Sequence, residues 1–222
     1  MRQTSPDAVI IFASTNKVYG DLQSIPLTEK ELRYEFAEKA MKGITEEQSL
    51  DFHSPYGCSK GAADQYVRDY ARIYGLRTVC FRQSCIYGYR QFGLEDQGWL
   101  AWFIIATLKN KSLTIYGNGK QVRDVLFIDD LIKAYDLAIA NKDKLNSAIY
   151  NIGGGIGNSL SLLELISILE GKFNKKIAYN FAPWRPGDQL IFISDNTKLL
   201  KELSWQSQIS YQEGIEKLID WF

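Results

Sequence analysis

Ser54-Pro55-Tyr56-Gly57-Cys58-Ser59-Lys60 sets a phenol and an ammonium four residues apart, at the start of a segment whose pattern predicts a helix from about Gly57 to Tyr74, ending at Gly75. That spacing puts both groups on one helix face. A cation beside a phenol stabilises phenolate, so Tyr56 is a candidate acid/base for a substrate hydroxyl. The same spacing also occurs on ordinary helices, and the surrounding chain has to decide between the two readings. Upstream, Ala8-Val9-Ile10-Ile11-Phe12-Ala13 is an apolar run rich in β-branched residues, read as a buried strand, and Ser14-Thr15-Asn16-Lys17-Val18-Tyr19-Gly20 follows it. Hydroxyls at the carboxyl end of a parallel strand face the ligand crevice of an open α/β sheet. A turn hydroxyl satisfying its own backbone is the plainer reading of Thr15 alone.

Strand, Ser/Thr and then Tyr-x-x-x-Lys at a helix start resembles the short-chain dehydrogenase/reductase superfamily, and Val18-Tyr19-Gly20 resembles its extended branch of NAD-dependent epimerases and dehydratases acting on nucleotide sugars. The resemblance implies Thr15, Tyr56 and Lys60 as the catalytic set, with Ser14, Tyr56 and Lys60 beside a bound NAD. Phe81-Arg82 and Tyr87-Gly88 resemble the strand and loop that line the family's sugar pocket. Gly117-Asn118-Gly119-Lys120-Gln121-Val122-Arg123-Asp124-Val125 resembles the turn and strand whose Arg reaches the substrate. Arg185-Pro186-Gly187-Asp188 resembles the loop that brings a second Arg to the diphosphate, and Asn151-Ile152-Gly153-Gly154 the last core strand. Two guanidiniums suit a diphosphate, because each offers a planar fork of donors and a permanent charge. The implied substrate-binding set is Asn16, Lys17, Cys85, Arg90, Arg123, Arg185 and Asp188. Cys85 stands where relatives place an Asn, and a thiol is the weaker donor.

Within the branch, Asp51 to Tyr66 and Arg90-Gln91-Phe92 resemble the CDP-tyvelose 2-epimerases, also called CDP-paratose 2-epimerases. This implies inversion at C2 of a CDP-dideoxyhexose by transient oxidation and re-reduction, with the hydride returned to the other face of the sugar. The 4,6-dehydratases of the branch carry acidic residues where this chain has Asn16 and Lys17, which disfavours elimination of water. Another NAD-dependent 4-epimerase, or a non-catalytic fragment that only binds nucleotide sugar, remains open. No Gly-rich pyrophosphate turn opens the chain, and Gly153-Gly154-Gly155-Ile156-Gly157-Asn158 has Asn158 at the third glycine position of G-x-G-x-x-G. That stretch reads as a turn before a helix starting near Leu160. The chain is therefore expected to be the later portion of an epimerase, lacking the N-terminal half of its dinucleotide domain.

The expected fold class is α/β, a partial Rossmann-like parallel sheet with a smaller interleaved α/β substrate-binding lobe. Residues 1–82 and 121–152 are expected to form the remainder of the NAD-binding domain, and 83–120 and 153–222 the substrate lobe. In 222 residues 45% are hydrophobic, and 26 basic residues balance 26 acidic ones, which gives no electrostatic ground for a nucleic-acid or membrane partner. The first residues are polar and the apolar run behind them is too short to span a bilayer, so the cytoplasm is expected. One His and three scattered Cys offer no metal-ligand spacing. His53 reads as an imidazole packed before the helix. Cys58, Cys80 and Cys85 read as free thiols in a reducing compartment. A homo-oligomer formed through the Tyr56 helix is implied by the family.

Overall fold

The computed structural model describes residues 2–5 and 7–222. In chain order its elements are β1 (Val9–Thr15), β2 (Leu27–Glu29), β3 (Tyr34–Phe36), α1 (Ser54–Tyr74), β4 (Arg77–Gln83), β5 (Cys85–Tyr87), α2 (Trp99–Leu108), β6 (Leu113–Tyr116) and β7 (Val122–Phe127). They continue with α3 (Ile128–Ala140), β8 (Ala148–Ile152), β9 (Ser159–Ser161), α4 (Leu162–Phe173), β10 (Tyr179–Ala182), β11 (Ile191–Phe192), α5 (Thr197–Leu203) and α6 (Tyr211–Trp221). The fold is α/β, as the alternation of apolar strands and amphipathic helices requires.

Two sheets organise it. β1, β4 and β8 form a parallel sheet in the order β1-β4-β8, and Thr15 ends β1 opposite Gln83 at the end of β4. The second sheet runs β11-β7-β5, all parallel, with β9 antiparallel on β7. β6 and β10 make a parallel pair, and β2 and β3 a hairpin inside the polar excursion after Gly20. The division drawn at residue 121 is not followed by the pairing, since β7 bonds to β5, β9 and β11 and not to the first sheet. The reason lies in its side chains. All six positions of β7 are buried, and alternate residues face different cores. Leu126 packs with Val79, Phe81, Leu131, Tyr150 and Trp205, whereas Val125 and Phe127 pack with Phe103, Ile104, Leu113, Leu165 and Leu218.

α1 begins three residues earlier than the pattern predicts, because Pro55 is tolerated in a first helical turn and the Ser54 hydroxyl accepts a bond from Gly57 N at 3.1 Å. It ends at Gly75 with φ of 67° and ψ of 20°, a left-handed conformation that glycine adopts without steric cost. Beneath α1, Asp64 accepts a fork from Arg82 (Nε and Nη2, both 3.1 Å) and a bond from the Ser14 hydroxyl at 2.8 Å. Arg82 also donates to Tyr19 OH at 3.1 Å, and that hydroxyl donates to Asn151 Oδ1 at 2.6 Å. One buried chain of polar bonds thus ties α1 to β1, β4 and β8. Phe81, Arg82 and Tyr87 are buried in the body of the protein and do not line the pocket as the resemblance implied. The glycine run after β8 is a packed turn. A Cβ on Gly153 would lie 2.6 Å from the Ser194 hydroxyl, and β9 intervenes before α4 starts at a capping box of Ser161 and Glu164.

Candidate active site

The end of β1 is knotted into the loop that precedes β11. Thr15 Oγ1 accepts from Lys17 N and donates to Asn16 Oδ1, both at 3.3 Å, and Asn16 Nδ2 donates to Gln189 Oε1 at 3.2 Å. Gln189, fully buried, returns the contact by donating to Asn16 O at 3.4 Å and also donates to Gly20 O at 2.6 Å. Lys17 Nζ reaches Asp188 Oδ1 at 3.1 Å and Gly187 O at 3.3 Å. Asp188 Oδ1 also accepts from Arg123 Nη2 at 2.7 Å. One carboxylate therefore holds two cations. Burial and the neighbouring Arg123 push the Lys17 ammonium below its ordinary value. Burial pushes Asp188 up, but Arg123 and Lys17 outweigh it and keep the carboxyl below the usual range.

A cavity of about 510 Å³ opens beside this cluster, within the range of small-molecule sites. Its lining includes Asn16, Lys17, Ser54, Tyr56, Cys85, Arg123, Arg185 and Asp188. Thr114, Tyr116, Gln121 and Leu162 line it as well. Tyr56 is 54% exposed and projects from the first turn of α1. Ser54 beside it has φ of 71°, an uncommon conformation for a non-glycine residue. Lys60 turns to the end of β1, where its Nζ donates to Ala13 O at 2.9 Å. His53 is exposed just ahead of α1 and packs on Gly187.

The structure thus brings Asn16, Lys17, Tyr56, Cys85, Arg123, Arg185 and Asp188 to one cavity. Ser14, Thr15, Lys60 and Arg90 do not line it, and the Ser14 hydroxyl is taken up by Asp64. Cys85 accepts from Trp99 Nε1 at 3.4 Å, and burial pushes its thiol up, so it presents a neutral sulfur to the cavity. Sequence reasoning missed Trp99, Tyr116, Gln121 and the loop from Glu95 to Gly98, all of which line the cavity. Gln121 Nε2 donates to Tyr116 O at 2.6 Å, which orients the amide. Arg185 stacks over the Tyr116 ring, 3.8 Å from its centroid. No local motif announces the Arg185–Tyr116 and Trp99–Cys85 contacts, because their partners come from different elements, and the local Gln121–Tyr116 bond carries no signal of its own.

Residues 1–153 match the NAD dependent epimerase/dehydratase family. The whole chain is 49% identical, over 226 residues, to a CDP-paratose 2-epimerase of Salmonella typhi, of which it covers 67%. Among solved structures, UDP-glucuronic acid 4-epimerase of Bacillus cereus, in complex with UDP-glucuronic acid and NAD, superposes with a TM-score of 0.79 at 28% identity. The match covers 96% of this chain and 60% of that one. A dTDP-glucose 4,6-dehydratase of Streptomyces venezuelae with NAD bound gives 0.80 at 27% identity, covering 99% of this chain and 62% of that one. This chain therefore spans about two thirds of the length of these relatives.

Proposed function

The chain belongs to the NAD dependent epimerase/dehydratase family, and from that premise we propose that it carries the substrate-side active site of a nucleotide-sugar epimerase that interconverts CDP-paratose and CDP-tyvelose at C2. The observation that carries this reading is the half-exposed Tyr56 in a cavity whose lining also holds Lys17, Arg123 and Arg185. A sugar at Tyr56 puts its diphosphate beside the guanidiniums. Tyr56 takes the proton from the sugar hydroxyl and returns it, whereas the Thr15 hydroxyl, bonded to Asn16 and Lys17 away from the cavity, reaches the substrate oxygen only by giving up its bond to Asn16. Elimination is disfavoured, because the carboxylate that pairs with Lys17 is Asp188, whose carboxyl Arg123 and Lys17 keep below the usual range, so it has no proton to give a leaving hydroxyl.

The donor set at the end of β1 fits the nicotinamide ribose of NAD. Lys60 has Ala13 O as its one acceptor among the described residues, which leaves N–H donors beside the exposed Tyr56. When bound, NAD supplies a reversible acceptor for the hydrogen on the sugar carbon. We place the reaction in the cytoplasm and expect a homo-oligomer formed through the exposed Tyr66, Tyr70 and Ile73 of α1. No helix among the described residues is long and apolar enough to cross a membrane.

The test is conversion of CDP-paratose, with added NAD, by the protein and by Tyr56→Phe. Loss of the hydroxyl is expected to cut the rate at least about a hundredfold while CDP still binds. A Tyr56→Phe variant that keeps more than a tenth of the rate overturns the acid/base assignment. Turnover of UDP-glucose in place of CDP-paratose moves the reading to a 4-epimerase.

A further inference from the structure

The two arginines offered to a diphosphate are not equivalent, and the loop from Gly93 to Gly98 makes the difference. This loop is a tight turn closed by reciprocal backbone bonds between Leu94 and Gln97, at 2.9 and 3.0 Å. Its tip is fastened at the cavity wall in three places. Tyr116 OH donates to Glu95 Oε1 at 3.2 Å, Arg185 Nη2 donates to Glu95 O at 3.3 Å, and the same nitrogen donates to Asp96 Oδ1 at 2.7 Å. Arg123, in contrast, is held from within the fold by Asp188 and by its own neighbour's carbonyl, Val122 O at 2.8 Å.

Exposure decides which carboxylate yields to a ligand. The Asp188 side chain is 22% exposed and shared by two cations, whereas the Asp96 side chain is 86% exposed and meets Arg185 alone. An exposed ion pair of that kind adds little stability, so a ligand with two adjacent anionic groups and a bidentate fit outcompetes it. Arg185 keeps its stacking on Tyr116 as the carboxylate leaves, so its guanidinium stays aimed at the cavity. We propose that Asp96 is a built-in competitor for the anion site on Arg185, displaced when the diphosphate of a nucleotide sugar binds, and that it thereby sets nucleotide affinity. This rests on the reading of the cavity as a nucleotide-sugar site.

Titration calorimetry with CDP tests it on four proteins: the unaltered chain, Asp96→Asn, Arg185→Ala and the double variant. Asp96→Asn is expected to tighten CDP about two- to fivefold, and that gain is expected to vanish in the Arg185→Ala background. A gain of equal size in both backgrounds means that Asp96 acts as a diffuse charge and overturns the competition. No change in Asp96→Asn, with CDP bound by the unaltered chain, overturns the proposal alone. CDP bound by none of the four removes the nucleotide-sugar reading and the proposal with it.

Discussion

The Arg82–Asp64 pair under α1 and the Arg185–Asp96 pair at the cavity mouth use the same two side-chain types, yet the first leaves 2% and 0% of its side-chain surface exposed and the second 36% and 86%. In the first, burial opposes the charge on Arg82, but the fork to Asp64 and the Tyr19 hydroxyl outweigh it and raise the guanidinium pKa above its ordinary value. Arg82 gives two donors to Asp64 of α1 and a third to Tyr19, and Asp64 also accepts from Ser14 of β1, so the pair acts as a joint between helix and sheet. In the second, water solvates both partners, and the pair is free to be exchanged for a ligand. The same chemistry serves structure where it is dry and, in the reading proposed above, recognition where it is wet.

Removing Asp64 tests the dry side hardest. Asp64→Ala leaves Arg82 charged in the interior without its carboxylate, with only the neutral Tyr19 hydroxyl to bond, and is expected to cost about 3–5 kcal/mol in urea unfolding. A loss under about 1 kcal/mol would put the two pairs in one class. Between the extremes stands Arg123, on the wall but anchored by Asp188. Arg123→Ala is expected to weaken CDP binding by roughly ten- to a hundredfold in calorimetry, the worth of a charge-assisted bond. Equal losses for Arg123→Ala and Arg185→Ala would erase the distinction between anchored and exchangeable arginine.

Asp188 gives a smaller, pH-dependent effect. Because its folded-state pKa lies below that of the unfolded chain, its contribution is present above about pH 4 and is lost as the pH falls through the folded value. Asp188→Asn is therefore expected to flatten the acid limb of a stability-against-pH curve, and an unchanged limb contradicts the assignment. The smallest effect belongs to the wet pair, since a double-variant cycle on Arg185 and Asp96 is expected to give a coupling of about 0–1 kcal/mol in urea unfolding.

The same contrast explains what the sequence made legible. Thr15 and Tyr56 sit at the ends of regular elements, and their order along the chain is enough to place them. Lys17 was legible because it stands two residues after Thr15, although its partner Asp188 lies 171 residues away. The Asp64–Arg82 joint escaped notice because residues 18 apart meet only when α1 packs on β4. Trp99, Tyr116 and the Glu95–Gly98 loop are united by tertiary folding alone. β7 was assigned to the first sheet because a strand buried on both faces shows no alternation that would reveal which neighbours it pairs with.

The most direct test of the account follows CDP-paratose by proton NMR in D₂O with this protein and NAD. The account predicts that CDP-tyvelose signals grow to a constant ratio while the hydrogen on C2 is retained, because Tyr56 exchanges only the hydroxyl proton. Deuterium appearing at C2, or a dehydrated keto sugar in place of the epimer, would contradict it.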